Sequence, residues 1–94
     1  MIKLPVDYDG LTAPARRAVR EEYQRLQEGK CYYCRCPLDG QPHPEVVAAK
    51  VDTKLFPTGF FGHPVHLHHS HETGKTLGAV HARCNAVLWQ FFGE

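Results

Sequence analysis

Residues 64–92 read PVHLHHSHETGKTLGAVHARCNAVLWQFF, and the order of elements in this stretch decides the fold. Pro64 to His69 predicts a strand, with Val65, Leu67 and His69 on one face and His66 and His68 on the other. Glu72-Thr73-Gly74-Lys75 is a turn signal. Leu77 to Val80 predicts a second short strand. His81 to Phe92 predicts a helix, with Val87, Leu88, Phe91 and Phe92 as its apolar face and Gly93 ending it. Strand, turn, strand and helix thus follow one another directly.

Upstream, a helix is expected over 12–28, with Thr12 as N-cap, Pro14 in the first turn and Gly29 at the stop. Ala15, Ala18, Val19, Tyr23 and Leu26 recur at helical spacing as an apolar stripe. Arg16, Arg17 and Arg20 share another face, and Glu21 and Arg25 form an i,i+4 pair. Residues 1–11 read as an irregular lead-in. Gly29 to Gly40 is a compact turn-rich element, and 41–62 is irregular. Within that last segment Glu45 to Lys54 reads equally as a short helix or a strand, and Phe56, Phe60 and Phe61 are expected to plug the core. The expected class is α+β, one domain over 1–94. It comprises an N-terminal helix at 12–28, a metal-binding knuckle at 30–37 and a core at 64–92.

A chain of 94 residues is small for a self-sufficient hydrophobic core, and chains of this size often recruit a metal or disulfide staple. A hydrophobic content of 43% argues against disorder. No apolar run approaches the ~20 residues needed to span a bilayer, and the first residues lack the apolar region of a secretion signal. The expected compartment is the cytoplasm. Eleven Lys and Arg against ten Asp and Glu argue against a highly basic nucleic-acid binder, without excluding local basic patches.

Cysteines in such a compartment are better metal ligands than disulfide partners. Cys31-x-x-Cys34 and His81-x-x-Cys84 supply two pairs, each spaced so that both side chains reach one tetrahedral ion. A structural Zn²⁺ on these four residues would staple the N-terminal half to the last helix. Cys36 is an alternative to His81, but a single residue between it and Cys34 makes a tighter geometry, so it is expected to be a spare thiol. Seven histidines, five of them between 66 and 81, exceed what packing needs.

His68-His69-Ser70-His71-Glu72-Thr73-Gly74-Lys75, then Leu77-Gly78, then His81-x-x-Cys84-Asn85, resembles the signature of HNH nucleases. The branch it most resembles is the recombination endonuclease VII type. The resemblance implies a ββα-metal (His-Me finger) fold holding one catalytic cation against the scissile phosphate. It implies His69 as general base, His68 as ligand of that cation, and Asn85 as the helix residue completing its site. Histidine at 68 replaces the aspartate of that type, so Mn²⁺, Co²⁺ or Ni²⁺ should be tolerated beside Mg²⁺. The middle asparagine of the HNH motif has no counterpart between residues 70 and 80.

The chemistry agrees with those roles: Mg²⁺ or Mn²⁺ would act as Lewis acid and clamp, and an imidazole titrates near working pH. His71 reads as a phosphate contact or as a turn residue, and His66 as a structural or supporting residue. Neither His43 nor His63 has an assigned role. The expected activity is metal-dependent cleavage or nicking of DNA with little base preference, with Arg16, Arg17, Arg20, Lys75 and Arg83 as phosphate contacts. Other phage-type DNA-processing proteins are possible partners, in packaging, recombination or homing. The rival reading is a zinc-ribbon module that binds nucleic acid or protein without cutting; a thiol redox protein built on Cys31 and Cys34 is a third.

Overall fold

The structure is a computed structural model that describes residues 2–93. Its first helix, α1, spans Ala13–Leu26. Thr12 caps it, its Oγ1 accepting the Ala15 N–H at 3.2 Å, and Pro14 sits where no intrahelical N–H is required. The end falls two residues earlier than expected. Glu28 and Gly29 both adopt positive φ, and the Gly29 N–H closes on the Gln24 carbonyl at 2.8 Å, reversing the chain. Of the expected stripe, Val19 and Tyr23 are buried, Ala15 is half-buried, and Ala18 and Leu26 are exposed. Arg25 pairs in a two-pronged bond with Glu22, one turn away, rather than with Glu21.

The undecided segment resolves as a short helix, α2, at Pro44–Ala48, capped by the His43 side chain, and a 3-10 turn at Thr53–Leu55. A second 3-10 turn covers Phe60–Gly62. Strands β1 (Val65–His69) and β2 (Thr76–His81) form an antiparallel hairpin, and helix α3 (Ala82–Phe92) follows without a linker. The hairpin runs in register from Val65 opposite His81 to His68 opposite Gly78; a bulge then puts His69 opposite Thr76. Ser70 closes its turn, with Oγ accepting from the Glu72 and Thr73 N–H groups, while Gly74 takes the left-handed conformation. Gly93 ends α3 in the same conformation, as its sequence position predicts.

Val19 and Tyr23 of α1, Leu67 of β1, Ala79 and Val80 of β2, Val87 of α3 and Val46 of α2 meet in one core with Leu38, Cys31 and Cys84. Burial there removes apolar surface at roughly 25 cal/mol per Å². Phe91 and Phe92 are exposed, and only Val87 and Leu88 of the expected apolar face of α3 are buried. Phe56, Phe60 and Phe61 do not plug the core either. They form a separate aromatic cluster with Trp89, Phe61 being 37% and Trp89 43% exposed.

The outer edge of β2 is covered by the lead-in, which the sequence reads as irregular, and by Gln27, which the sequence places in the first helix. The lead-in pairs with its start, where Thr76 N–H donates to Val6 O at 2.9 Å and Tyr8 N–H to Gly74 O at 2.9 Å. Further along, the Gln27 carboxamide acts as a surrogate strand. Its Oε1 accepts from Ala79 N and its Nε2 donates to Ala79 O, both at 2.9 Å, and the Tyr32 N–H shares that carbonyl. A paired edge offers no ladder to another chain. Among the described residues, no helix is long and apolar enough to cross a membrane.

Candidate functional site

The sequence-predicted side chains separate into two places on either side of the β2–α3 junction. The first gathers Cys31 and Cys34 from the turn after α1 with His81 and Cys84 from the start of α3. Arg35 at positive φ and its N–H bond to Cys31 O curl residues 31–35 into a tight turn, so both sulfurs point the same way. The four donor atoms all lie within 4.8 Å of one another. His81 Nδ1 stands 3.5 Å from Cys34 Sγ and 3.6 Å from Cys84 Sγ. A tetrahedral zinc with Zn–S of about 2.3 Å and Zn–N of about 2.0 Å has S···N edges of about 3.5 Å. The donor set therefore fits zinc in identity, number and spacing.

The surroundings complete that fit. His81 Nε2–H donates to Pro37 O at 2.8 Å, which fixes the tautomer and leaves Nδ1 as the ligand atom. The Tyr33 N–H donates to Cys31 Sγ at 3.4 Å. The Cys31 thiol is held down to about 4, foremost by the hydrogen bond from Cys84. That bond, with burial and the charge on Cys31, pushes the Cys84 thiol upward. Cysteines this close could both be deprotonated by a divalent cation bound between them. Cys36 lies outside the quartet, and its carbonyl accepts the Cys31 N–H at 2.8 Å.

Close approach of this knuckle to β2 depends on Gly78. A Cβ there would lie 2.8 Å from both the Tyr32 Cβ and Gln27 Oε1, so the glycine has a steric cause.

The second place is a cleft of about 540 Å³ between β1, α1, α3 and the loop at 55–63. His66, His68, His69, His71 and Asn85 all line it, as do Arg16 and Arg20. The bulge at His68/His69 interrupts the strict alternation of the strand, and both imidazoles reach the same cleft. They differ in burial: His68 is 2% exposed, whereas His69 is half-buried. Burial, then the neighbouring His71 and His68, push the His69 imidazole below the ordinary histidine range, with Asp9 opposing. That keeps it neutral, the form a base requires.

Asn85 is tied to His66. Its Nδ2 donates to His66 Nδ1 at 3.1 Å, while His66 Nε2–H donates to Phe60 O at 2.8 Å. Both bonds suit a neutral ring, and burial above all pushes His66 in that direction. His63 lines the cleft and bonds Val65 O.

Not every expected phosphate contact faces this cleft. Arg17 is exposed on α1 but outside the lining. Lys75 forms an ion pair with Asp7 at 2.8 Å. Arg83 is half-buried and donates to Val46 O at 3.2 Å and Ala49 O at 2.9 Å, bracing the end of α2 against α3. It serves there as a helix clamp.

Sequence reasoning missed Tyr8, whose ring stacks flat on His69 with centroids 3.9 Å apart and 9° between planes. No spacing rule links residue 8 to residue 69. The loop aromatics Phe56 and Phe60, together with Trp89, were also missed as cleft residues. Comparison with protein families, curated proteins and solved structures finds no match to the chain.

Proposed function

We propose that the protein is a metal-dependent endonuclease that hydrolyses phosphodiester bonds in DNA, with a structural Zn²⁺ on the cysteine–histidine quartet and a ββα-metal arrangement of hairpin and α3. The observation that carries this reading is the convergence of His68, His69, His71, Asn85, Arg16 and Arg20 on one cleft that has no carboxylate among its lining residues. Such a lining attracts an anionic diester and repels none of it. His69, neutral and held in orientation by Tyr8, takes the proton of the attacking water. Arg16 and Arg20 neutralise phosphate oxygens, and Arg16 is fixed for this by its Nη1 bond to Leu11 O at 2.8 Å.

His68 and Asn85 would hold the second cation, which would supply charge stabilisation on the phosphoryl oxygens and the leaving 3′ oxygen. With imidazole and amide as donors, that ion is softer than Mg²⁺ prefers, so Mn²⁺, Co²⁺ or Ni²⁺ should support activity better than Mg²⁺. A plasmid-nicking assay with each metal, comparing wild type with His69→Ala, tests the reading. Nicking by the wild type alone supports it; intact supercoiled plasmid with every metal ends it.

One observation favours the second reading, a zinc-stapled module that binds without cutting. Asn85 is engaged with His66, and the cleft offers no carboxylate to a hard cation. The same assay decides between the two readings.

A further inference from the structure

One wall of the cleft is unlike the rest. Phe56 packs against Phe60, Phe61 and Trp89 with ring centroids 4.7, 5.7 and 5.4 Å apart, and Phe60 meets His66 edge-on at 4.6 Å. The cluster runs directly into the histidine row. Apolar rings at this exposure are costly unless something covers them. The wall is also held in place. Gln90 of α3 accepts from the Asp52 N–H and donates to Lys50 O, and His66 fastens the Phe60 carbonyl. Opposite stand Arg16 and Arg20, with five histidines between and no Asp or Glu among the lining residues.

A preformed aromatic face beside a cationic floor suits a ligand that carries a flat apolar ring on an anionic backbone. Nucleic acid matches, provided its base is unpaired: in a duplex both faces of each base are covered by its neighbours. We propose that this wall stacks an unpaired base of single-stranded DNA while the flanking phosphate lies on the histidines and arginines. The inference rests on the nuclease reading for the identity of the anion, and it names the substrate class of that site. Single-stranded DNA is bound in preference to continuous duplex. Charge complementarity selects this occupant over an apolar peptide, which would leave Arg16 and Arg20 without a counter-charge.

Trp89 is the only tryptophan, so it reports on its own wall. The full-length, zinc-loaded protein is titrated with oligothymidylate, with an abasic oligonucleotide of equal phosphate count, and with covalently closed relaxed plasmid, without added Mg²⁺ or Mn²⁺. Oligothymidylate should quench the Trp89 emission, and the plasmid should not at equal nucleotide concentration. The abasic strand should bind at least about fivefold more weakly, the lower end of what one stacked base contributes. Phe56→Ala, which lines the cleft and keeps the reporter, should weaken oligothymidylate binding by a similar factor. Trp89→Leu, followed by anisotropy of a labelled strand, provides the same check should Phe56→Ala misfold.

Equal affinity for abasic and thymidylate strands, or equal quenching by the plasmid, overturns the proposal. The two readings fail separately. Quenching without nicking removes the nuclease and keeps the stacking wall, whereas nicking with a Phe56→Ala variant of unchanged strand preference does the reverse.

Discussion

Two sites that use imidazole flank the β2–α3 junction, one closed with a single histidine among three cysteines and one open with five histidines. At the closed site His81 is 3% exposed, its two ring nitrogens face Cys34 and Cys84 on one side and a carbonyl on the other, and two of its partner cysteines belong to the core. At the open site the histidines line a solvent-accessible cleft, and only His68 among them is fully buried. A closed four-donor set leaves no position for a substrate beside any ion it holds, whereas an open cleft admits a ligand. Imidazole alone therefore does not define a role. Enclosure does.

The largest effect is expected where the closed site is broken. Cys84→Ser should abolish stoichiometric zinc and lower the melting temperature by more than about 10 °C, because metal binding and folding are coupled at such sites. Calorimetry with metal analysis reads both. A variant that keeps both would show that Cys84 does not hold the ion.

The open site should respond in the opposite way. His69→Ala should reduce nicking by about 10²- to 10⁴-fold, the range general-base catalysis contributes. Its zinc content should remain unchanged and its melting temperature should stay within a few degrees. Zinc loss in this variant would erase the distinction between the two sites.

Two further substitutions sharpen the boundary between them. Gly78→Ala forces a Cβ against Tyr32 and Gln27 and should cost about 1–3 kcal/mol in denaturant unfolding, as overpacking does. Wild-type stability would mean that the knuckle does not press on β2. Tyr23→Phe removes a buried hydroxyl that lies 2.9 Å from Thr76 Oγ1 and 3.2 Å from Thr76 O, with an expected cost of about 1 kcal/mol. A neutral outcome would place that hydroxyl outside the network that joins α1 to the hairpin.

Much of the fold was legible because it is local. The strand at 64–69, the turn at 72–75, and the caps Thr12 and Gly93 each depend on residues a few positions apart, and each appears where expected, although a bulge breaks the strand's alternation at His68/His69. The metal quartet was legible for a related reason: two ligand pairs at x-x spacing carry their geometry with them. The errors share a cause. Phe91, Phe92 and Leu26 have the right period for a core, but burial depends on what lies opposite, and all three stay more than half exposed. Arg83 reads as a phosphate contact until α2 is found presenting two carbonyls to it.

By itself, the sequence determined the hairpin–helix order, the first helix and the four donors of the metal cluster, since short spacings and side-chain chemistry are enough for these. Only the tertiary structure decided that Tyr8 lies on His69, that Gln27 completes the edge of β2, and that Phe56, Phe60 and Trp89 wall the cleft. These contacts join segments far apart in the chain and leave no periodic trace in it. They follow from how α1, the hairpin and α3 pack together, and that packing is settled only when the core closes.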